Sequence, residues 1–160
     1  MLSADNQQER LDGYWIAGFV DGEGCFHVSI NRMPKMTMGW QVLPEFRLVQ
    51  HKKDVDVLFS IRNYFGFGVV RINNKDRMEF RVRALEDLFK LKLFFNKYKL
   101  VTSKKVDFEI FCQILCLIKS GEHLNSKGLE RIAVLCSNMN RKIQRSLESS
   151  ETIRRTSHVS

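Results

Sequence analysis

A chain of 160 residues with 44% hydrophobic side chains is large enough for one domain with a real core, which excludes wholesale disorder. Lysine and arginine number 26 against 18 aspartates and glutamates, a formal charge of +8 with a pI near 9.5. That balance usually meets a polyanion, nucleic acid being the commonest, although a solubilising surface would carry it too. No apolar run approaches the ~20 residues of a membrane helix, and the polar start fits neither a signal peptide nor an Arg-rich transit peptide.

In chain order, apolar residues at Leu11, Tyr14/Trp15 and Phe19 predict a helix from about Gln8 to Val20, stopped by Gly22 and Gly24. From Phe26 the period changes to two: Phe26, Val28 and Ile30 alternate with His27, Ser29 and Asn31, as in a half-buried strand. Met33–Gly39 reads as a turn. A second strand, Trp40 to Gln50, puts Trp40, Val42, Phe46 and Leu48 on one side and Gln41, Leu43, Glu45 and Arg47 on the other. Pro44 interrupts it and asks for a bulge or an edge. A helix is expected over Lys53–Tyr64, followed by a hairpin with strands Val69–Asn73 and Arg77–Ala84 around an Asn73–Asp76 turn. Helices follow at about Leu85–Tyr98, Ser103–Ser120 and, more weakly, Ser126–Met139. The order is α-ββ-α-ββ-α-α-α, an α+β fold in which two hairpins join into one antiparallel sheet with helices on its apolar face. Residues 1–140 are expected to form the domain, with a core over about 8–120, and 141–160 a basic, mobile tail.

The four cysteines, Cys25, Cys112, Cys116 and Cys136, form no CxxC pair and have no zinc-like histidine spacing. Cys112 and Cys116 read as a buried helix face. The expectation is an intracellular protein with reduced thiols, no membrane contact and no small-molecule substrate.

The outward sheet positions are His27, Ser29, Asn31, Gln41, Glu45, Arg47, Arg71, Asn73, Glu79, Arg81 and Arg83. Arginine suits guanine, asparagine and glutamine suit adenine, and glutamate accepts from cytosine; a β-ribbon fits the major groove. Leu43 and Val69 are apolar exceptions that suit thymine methyls. Half of any amphipathic sheet is polar without DNA. A merely solvated face favours Lys and Glu, however, whereas this one favours Arg, Asn, Gln, His and Ser. Stacking on aromatics, as in many RNA-binding domains, is disfavoured because the twelve phenylalanines fall mostly on apolar periods.

The segment Ile16-Ala-Gly-Phe-Val-Asp-Gly-Glu-Gly24 resembles the signature of the LAGLIDADG homing endonucleases, with isoleucine a conservative change for the first leucine. Gln50 at the close of the second strand, Phe65-Gly-Phe-Gly68 before the second hairpin and Thr102-Ser-Lys-Lys-Val-Asp-Phe108 extend the resemblance over residues 11 to about 120. It implies the αββαββα fold with a saddle-shaped sheet. Ala17, Gly18 and Gly22 lie close to one helical line, where small residues let another helix approach. The motif occurs once, so the resemblance implies a homodimer with Ile16, Ala17, Gly18 and Asp21 at the seam.

The same resemblance makes Glu23 and the Gly22 carbonyl metal ligands, for Mg2+ with Mn2+ or Ca2+ as substitutes, while Asp21 is a structural helix-end residue. Gln50 and Lys104, with Lys105 next, would complete the catalytic set with Glu23. The implied activity is site-specific cleavage of double-stranded DNA at a long pseudo-palindromic site, leaving 3′ overhangs and serving intron mobility. The protein would be encoded in an organelle, chloroplast or mitochondrion, or in an archaeon. An RNA maturase or a DNA-binding regulator of the same fold is the alternative. Lys52, Lys53, Arg141, Lys142 and Arg145 are expected to meet phosphates or solvent.

Overall fold

Asp12 opens the first helix: its carboxylate accepts the Trp15 N–H at 2.7 Å, the usual service of an aspartate N-cap. In the computed structural model, which describes residues 11–140, helix α1 therefore runs Gly13–Glu23, later at both ends than the periodicity predicts. The predicted first residues, 8–10, lie outside the described residues. At the other end Gly22 stays helical, because one glycine costs a helix only about 1 kcal/mol. Gly24 turns the chain extended instead, at φ −75° and ψ 155°.

Strand β1 (Gly24–Arg32) follows at once and pairs antiparallel with β2 (Trp40–His51) in an unbroken register from Gly24↔Leu48 to Arg32↔Trp40. Pro44 makes no bulge. It pairs with Val28 in a stretch of β2 beyond the end of β4, so its other edge has no ladder to break. A single 3-10 turn over Lys52–Asp54 leads into α2 (Val55–Phe65), closed by Gly66 at φ 78°, the left-handed C-cap that glycine adopts without strain. Strands β3 (Val69–Asn74) and β4 (Arg77–Val82) form the second hairpin. Its turn is tighter than predicted, with Lys75 at φ 45° and a register shift between Ile72 and Asn74. Helices α3 (Leu85–Lys97), α4 (Lys104–Lys119) and α5 (Ser126–Asn138) complete the described chain. The predicted tail from 141 lies outside the described residues.

The sheet order is β1-β2-β4-β3, all antiparallel, so both hairpins share the seam between β2 and β4. One face carries Phe26, Phe46, Leu48, Phe80 and Val82, all at 1% exposure or less, under Ile16 and Val20 of α1 and the buried faces of α2, α3 and α4. Phe26 touches Phe46, Phe95, Phe108 and Phe111, with ring centroids 5.2–5.7 Å apart. Each such ring contributes about 1.5–3 kcal/mol by leaving water. Helix α5 adds Ile132 and ends against β1: the Asn140 amide donates to the Phe26 carbonyl at 3.4 Å and its N–H to Asp107 at 3.0 Å. Among the described residues the opposite sheet face is bordered only at β1, where Ala133 and Cys136 of α5 share a hollow with Cys25, His27 and Arg47.

Candidate nucleic-acid interface and metal site

Helix α1 has two unlike sides. Ile16 and Ala17 point into the protein's own core, at 0% and 4% exposure, so they are not free to meet a second helix as the resemblance implied. The open side carries Tyr14 (74% exposed), Trp15 (44%), Gly18, Gly22 and Glu23. A Cβ added at Gly18 or Gly22 would meet nothing within 4 Å. Positions 18 and 22 are one helical step apart on the same line, and they form a smooth strip ending at the Glu23 carboxylate. Trp15, not Ala17, shares the open face of the two glycines. An apolar-period reading could not separate the two, because all the candidates are small or apolar.

Asp21 is committed within its own chain. Its carboxylate accepts the N–H groups of Val101 (2.9 Å) and Thr102 (3.1 Å) and the Thr102 hydroxyl (2.8 Å). It is a clasp and not a free seam residue, and its place at the helix end is the structural one expected of it. The clasp fixes where α4 begins, since the Lys104 N–H donates to the same Thr102 hydroxyl oxygen at 3.3 Å. Lys104 is half-buried and close enough to Cys25, the second residue after Glu23, for its charge to act on that thiol. Burial pushes the Cys25 thiol up, while Arg47 and Lys104 pull it back. Lys105 turns the other way, into a hollow lined by Phe95, Lys99 and Phe108. Of the two lysines, Lys104 is the one whose charge reaches Cys25 at the start of β1.

Gln50 faces the helix side of the sheet with Leu48 and its partner Met78. Gln50 lies two residues beyond Leu48, the partner of Gly24 where α1 hands over to β1. Glu23 ends α1, Gln50 lies near the end of β2 and Lys104 opens α4, the three positions that the resemblance groups as a catalytic set. The donors suit a hard divalent cation. They are an exposed carboxylate and the Gly22 carbonyl, which sits in a last helical turn with no further helical N–H to receive, at the negative end of the helix dipole. Among the described residues no three His, Cys, Asp or Glu side chains cluster closely enough to hold a metal. One chain offers only part of a coordination shell.

On the open sheet face the pairing places Asn31 opposite Gln41, Ser29 opposite Leu43, His27 opposite Glu45, Arg47 opposite Arg81, and Val69 opposite Arg81 on the other side. These are the predicted base-facing positions. The Asn31 amide donates to the Ser29 hydroxyl at 3.2 Å. Four residues on this face escaped the sequence reading: Cys25, Val49, His51 and Arg77. The signal was there, since the alternation of β2 and β4 simply continues through them. His51 accepts the Lys53 N–H at Nδ1, so Nε2 carries the proton and donates to Asp76 at 3.1 Å. Lys52 and Lys53 are exposed beside it.

Two positions need correction. Glu45 and Glu79 were expected to accept from cytosine, yet they are 7% and 3% exposed, covered by arginines. Glu45 holds Arg47 at 3.1 Å and Arg83 at 2.8 Å; Glu79 holds Arg71 at 3.4 Å, Arg81 at 3.8 Å and the Asn73 amide at 2.8 Å. Asn73 is thus spent on Glu79. A carboxylate between guanidiniums is held under them by charge, out of reach of a groove. The cysteines are all free thiols, but Cys116 is exposed, so it does not share the buried face expected of it with Cys112.

Fold and site together define an α+β domain that pairs an open, arginine-rich sheet with a glycine-faced helix ending in a carboxylate. The chain belongs to the LAGLIDADG endonuclease family, whose model matches residues 16–115. It is 31% identical over 150 residues to the probable intron-encoded endonuclease 3 of Neurospora crassa, covering 92% of this chain but 28% of that relative. The solved homing endonuclease I-TnaI is 48% identical with a TM-score of 0.79, over 87% of this chain and 97% of its own. I-SmaMI, solved bound to an uncleaved DNA target in the presence of calcium ions, is 34% identical with a TM-score of 0.81, over 82% of this chain and 46% of its own. This chain therefore spans about a quarter of its curated relative and nearly the whole of one solved neighbour.

Proposed function

We propose that two copies of this chain pair through α1 and hydrolyse both strands of a long, roughly palindromic DNA duplex, using a divalent metal held at their seam. The observation that carries this reading is the strip Gly18–Gly22, open on its own chain and ending in an exposed Glu23. Across a two-fold axis the same strip meets itself, and the two Glu23 carboxylates come together. Two such anions repel, and a divalent cation relieves the repulsion. Glu23 and the Gly22 carbonyl would hold it, Mg2+ in the cell, with Mn2+ or Ca2+ able to occupy the same oxygens.

When bound, the metal supplies Lewis-acid stabilisation of the phosphate and a more acidic water. The chain's own residues do the rest. Gln50 orients the water by hydrogen bonding, and Lys104, held by the Asp21 clasp, balances charge at the phosphate. The open sheet follows the major groove, and exposed Lys52 and Lys53 take backbone phosphates. The intron-encoded relative and the DNA-bound neighbour support a homing role; a gene inside an intron of an organelle genome and cuts that leave 3′ overhangs belong to the same proposal.

The test is incubation of the purified chain with magnesium and the intron-less allele of its host gene. Linearised product is expected, and Glu23→Gln should abolish cutting while retaining a gel shift. A wild-type gel shift without cutting would turn the reading to a DNA-binding regulator, and binding to intron RNA alone would turn it to a maturase. Cutting by Glu23→Gln would remove Glu23 from the site.

A further inference from the structure

A surface that only reads bases has no need of buried acids, yet the open face has two. Each lies beneath a pair of arginines drawn from different strands: Glu45 with Arg47 of β2 and Arg83 just past β4, Glu79 with Arg71 of β3 and Arg81 of β4. Between these hubs Arg47 and Arg81 are direct cross-strand partners, an arrangement of like charges that repels. The repulsion is resolved by direction. Arg47 pairs back toward Glu45 and Arg81 toward Glu79, which divides the arginines into two separate groups along the sheet.

We propose that Glu45 and Glu79 are positioning residues that set guanine preference at two separate places in each half of a bound duplex. Guanine offers O6 and N7 side by side, and two N–H groups of one guanidinium edge meet them. Arg83 donates its Nε–H to Glu45 at 2.8 Å, and Arg47 approaches the same carboxylate through Nε at 3.1 Å; the Arg71 Nε lies 3.4 Å from Glu79 while its N–H donates to the Ile72 carbonyl. Held to the glutamate at its inner edge, the half-exposed Arg83 keeps both terminal nitrogens for the groove. An arginine already ordered in this way also loses less freedom on binding. Arg81 is held through Nη1 at the longer 3.8 Å, so it is the loosest of the four and the least selective. This inference rests on the reading of the open face as the DNA-binding surface.

The experiment is selection from a randomised duplex pool in metal-free buffer, so that binding is read without cutting, with a thermal melt of each protein alongside. The wild type should enrich guanines at two clusters per half-site. Glu79→Gln, which keeps shape and removes charge, should lower the guanine preference about tenfold at the cluster that Arg71→Lys also loses. The cluster sensitive to Arg47→Lys should stay intact. Glu45→Gln should do the reverse. An even loss of affinity with an unchanged base profile would overturn the proposal, as would no change at all. If the glutamine variants fail to fold, Arg71→Lys and Arg83→Lys carry the test, since those side chains are 47% and 45% exposed. Each should erase one cluster, and loss spread over both overturns the proposal. A wild type that enriches no sequence refutes DNA reading itself, a result distinct from an unchanged profile in the variants.

Discussion

Gly18→Ala separates folding from pairing, because it should push the two in opposite directions. Within one chain the added methyl meets nothing within 4 Å. Its only intrinsic effect is on helix propensity, where alanine is better than glycine by about 0.8–1 kcal/mol. For a protein of this size that raises the melting temperature of a single chain by about 2–4 °C. At the proposed seam the same methyl faces its own copy across the two-fold axis. An extra methyl in a packed contact costs about 1–3 kcal/mol, and symmetry applies it twice, so pairing should weaken by about 2–6 kcal/mol. That is about 30-fold or more in the dimer dissociation constant. Sedimentation over a dilution series measures the pairing, and melts at low and high protein concentration measure its linkage to folding. The variant should dissociate at concentrations where the wild type is paired, and its melting temperature should lose its dependence on concentration. A variant that melts higher and pairs as tightly as the wild type would show that the glycine strip is not the seam.

Asp21→Asn should cost about 1–3 kcal/mol in urea unfolding, because one amide cannot accept all the bonds that the carboxylate takes from Val101 and Thr102. Cutting should fall with it as Lys104 loses its anchor; unchanged stability and cutting together would refute the clasp. Gly128→Ala should destabilise the fold by about 1–3 kcal/mol, since its Cβ would run into the Glu122 carbonyl, and a melt as high as the wild type's would contradict that packing. Thiol labelling at neutral pH should begin at exposed Cys116, while burial holds Cys112 up at about 12 and Cys136 at about 11. Because those two folded values lie above the 9.0 of a free thiol, their contribution to stability is intact below pH 9 and is lost as pH rises toward 11–12. Alkylation of Cys112 in the native protein as fast as Cys116 would overturn this order.

Period-two alternation made the open sheet face legible, because strand geometry leaves each side chain only two directions. The same alternation runs on to the strand ends, so His51 and Arg77 share this face although neither was expected on it. Helix α1 was harder. Its core side and its open side are both apolar or small, and only packing tells Ile16 at 0% exposure from Trp15 at 44%. The acids on the sheet posed a different difficulty. Alternation states which face Glu45 and Glu79 share with the arginines, but not that each lies within reach of two guanidiniums. That fact depends on the β2–β4 register, in which the i+2 neighbour Arg47 and the cross-strand Arg83 flank the same carboxylate. Register comes from pairing between distant segments, and no local pattern contains it. The same holds for Asp21, whose partners lie about eighty residues on in the chain. For the two glutamates the residue type was visible and its use was not: expected as base contacts, they instead hold the neighbouring arginines, whereas Asp21 was expected as a helix-end residue and only its partners were hidden. A carboxylate on a basic face is therefore better judged by its burial than by its chemistry, and Glu23, left exposed with no ion pair among the described residues, is the acid this reasoning picks out as free to bind.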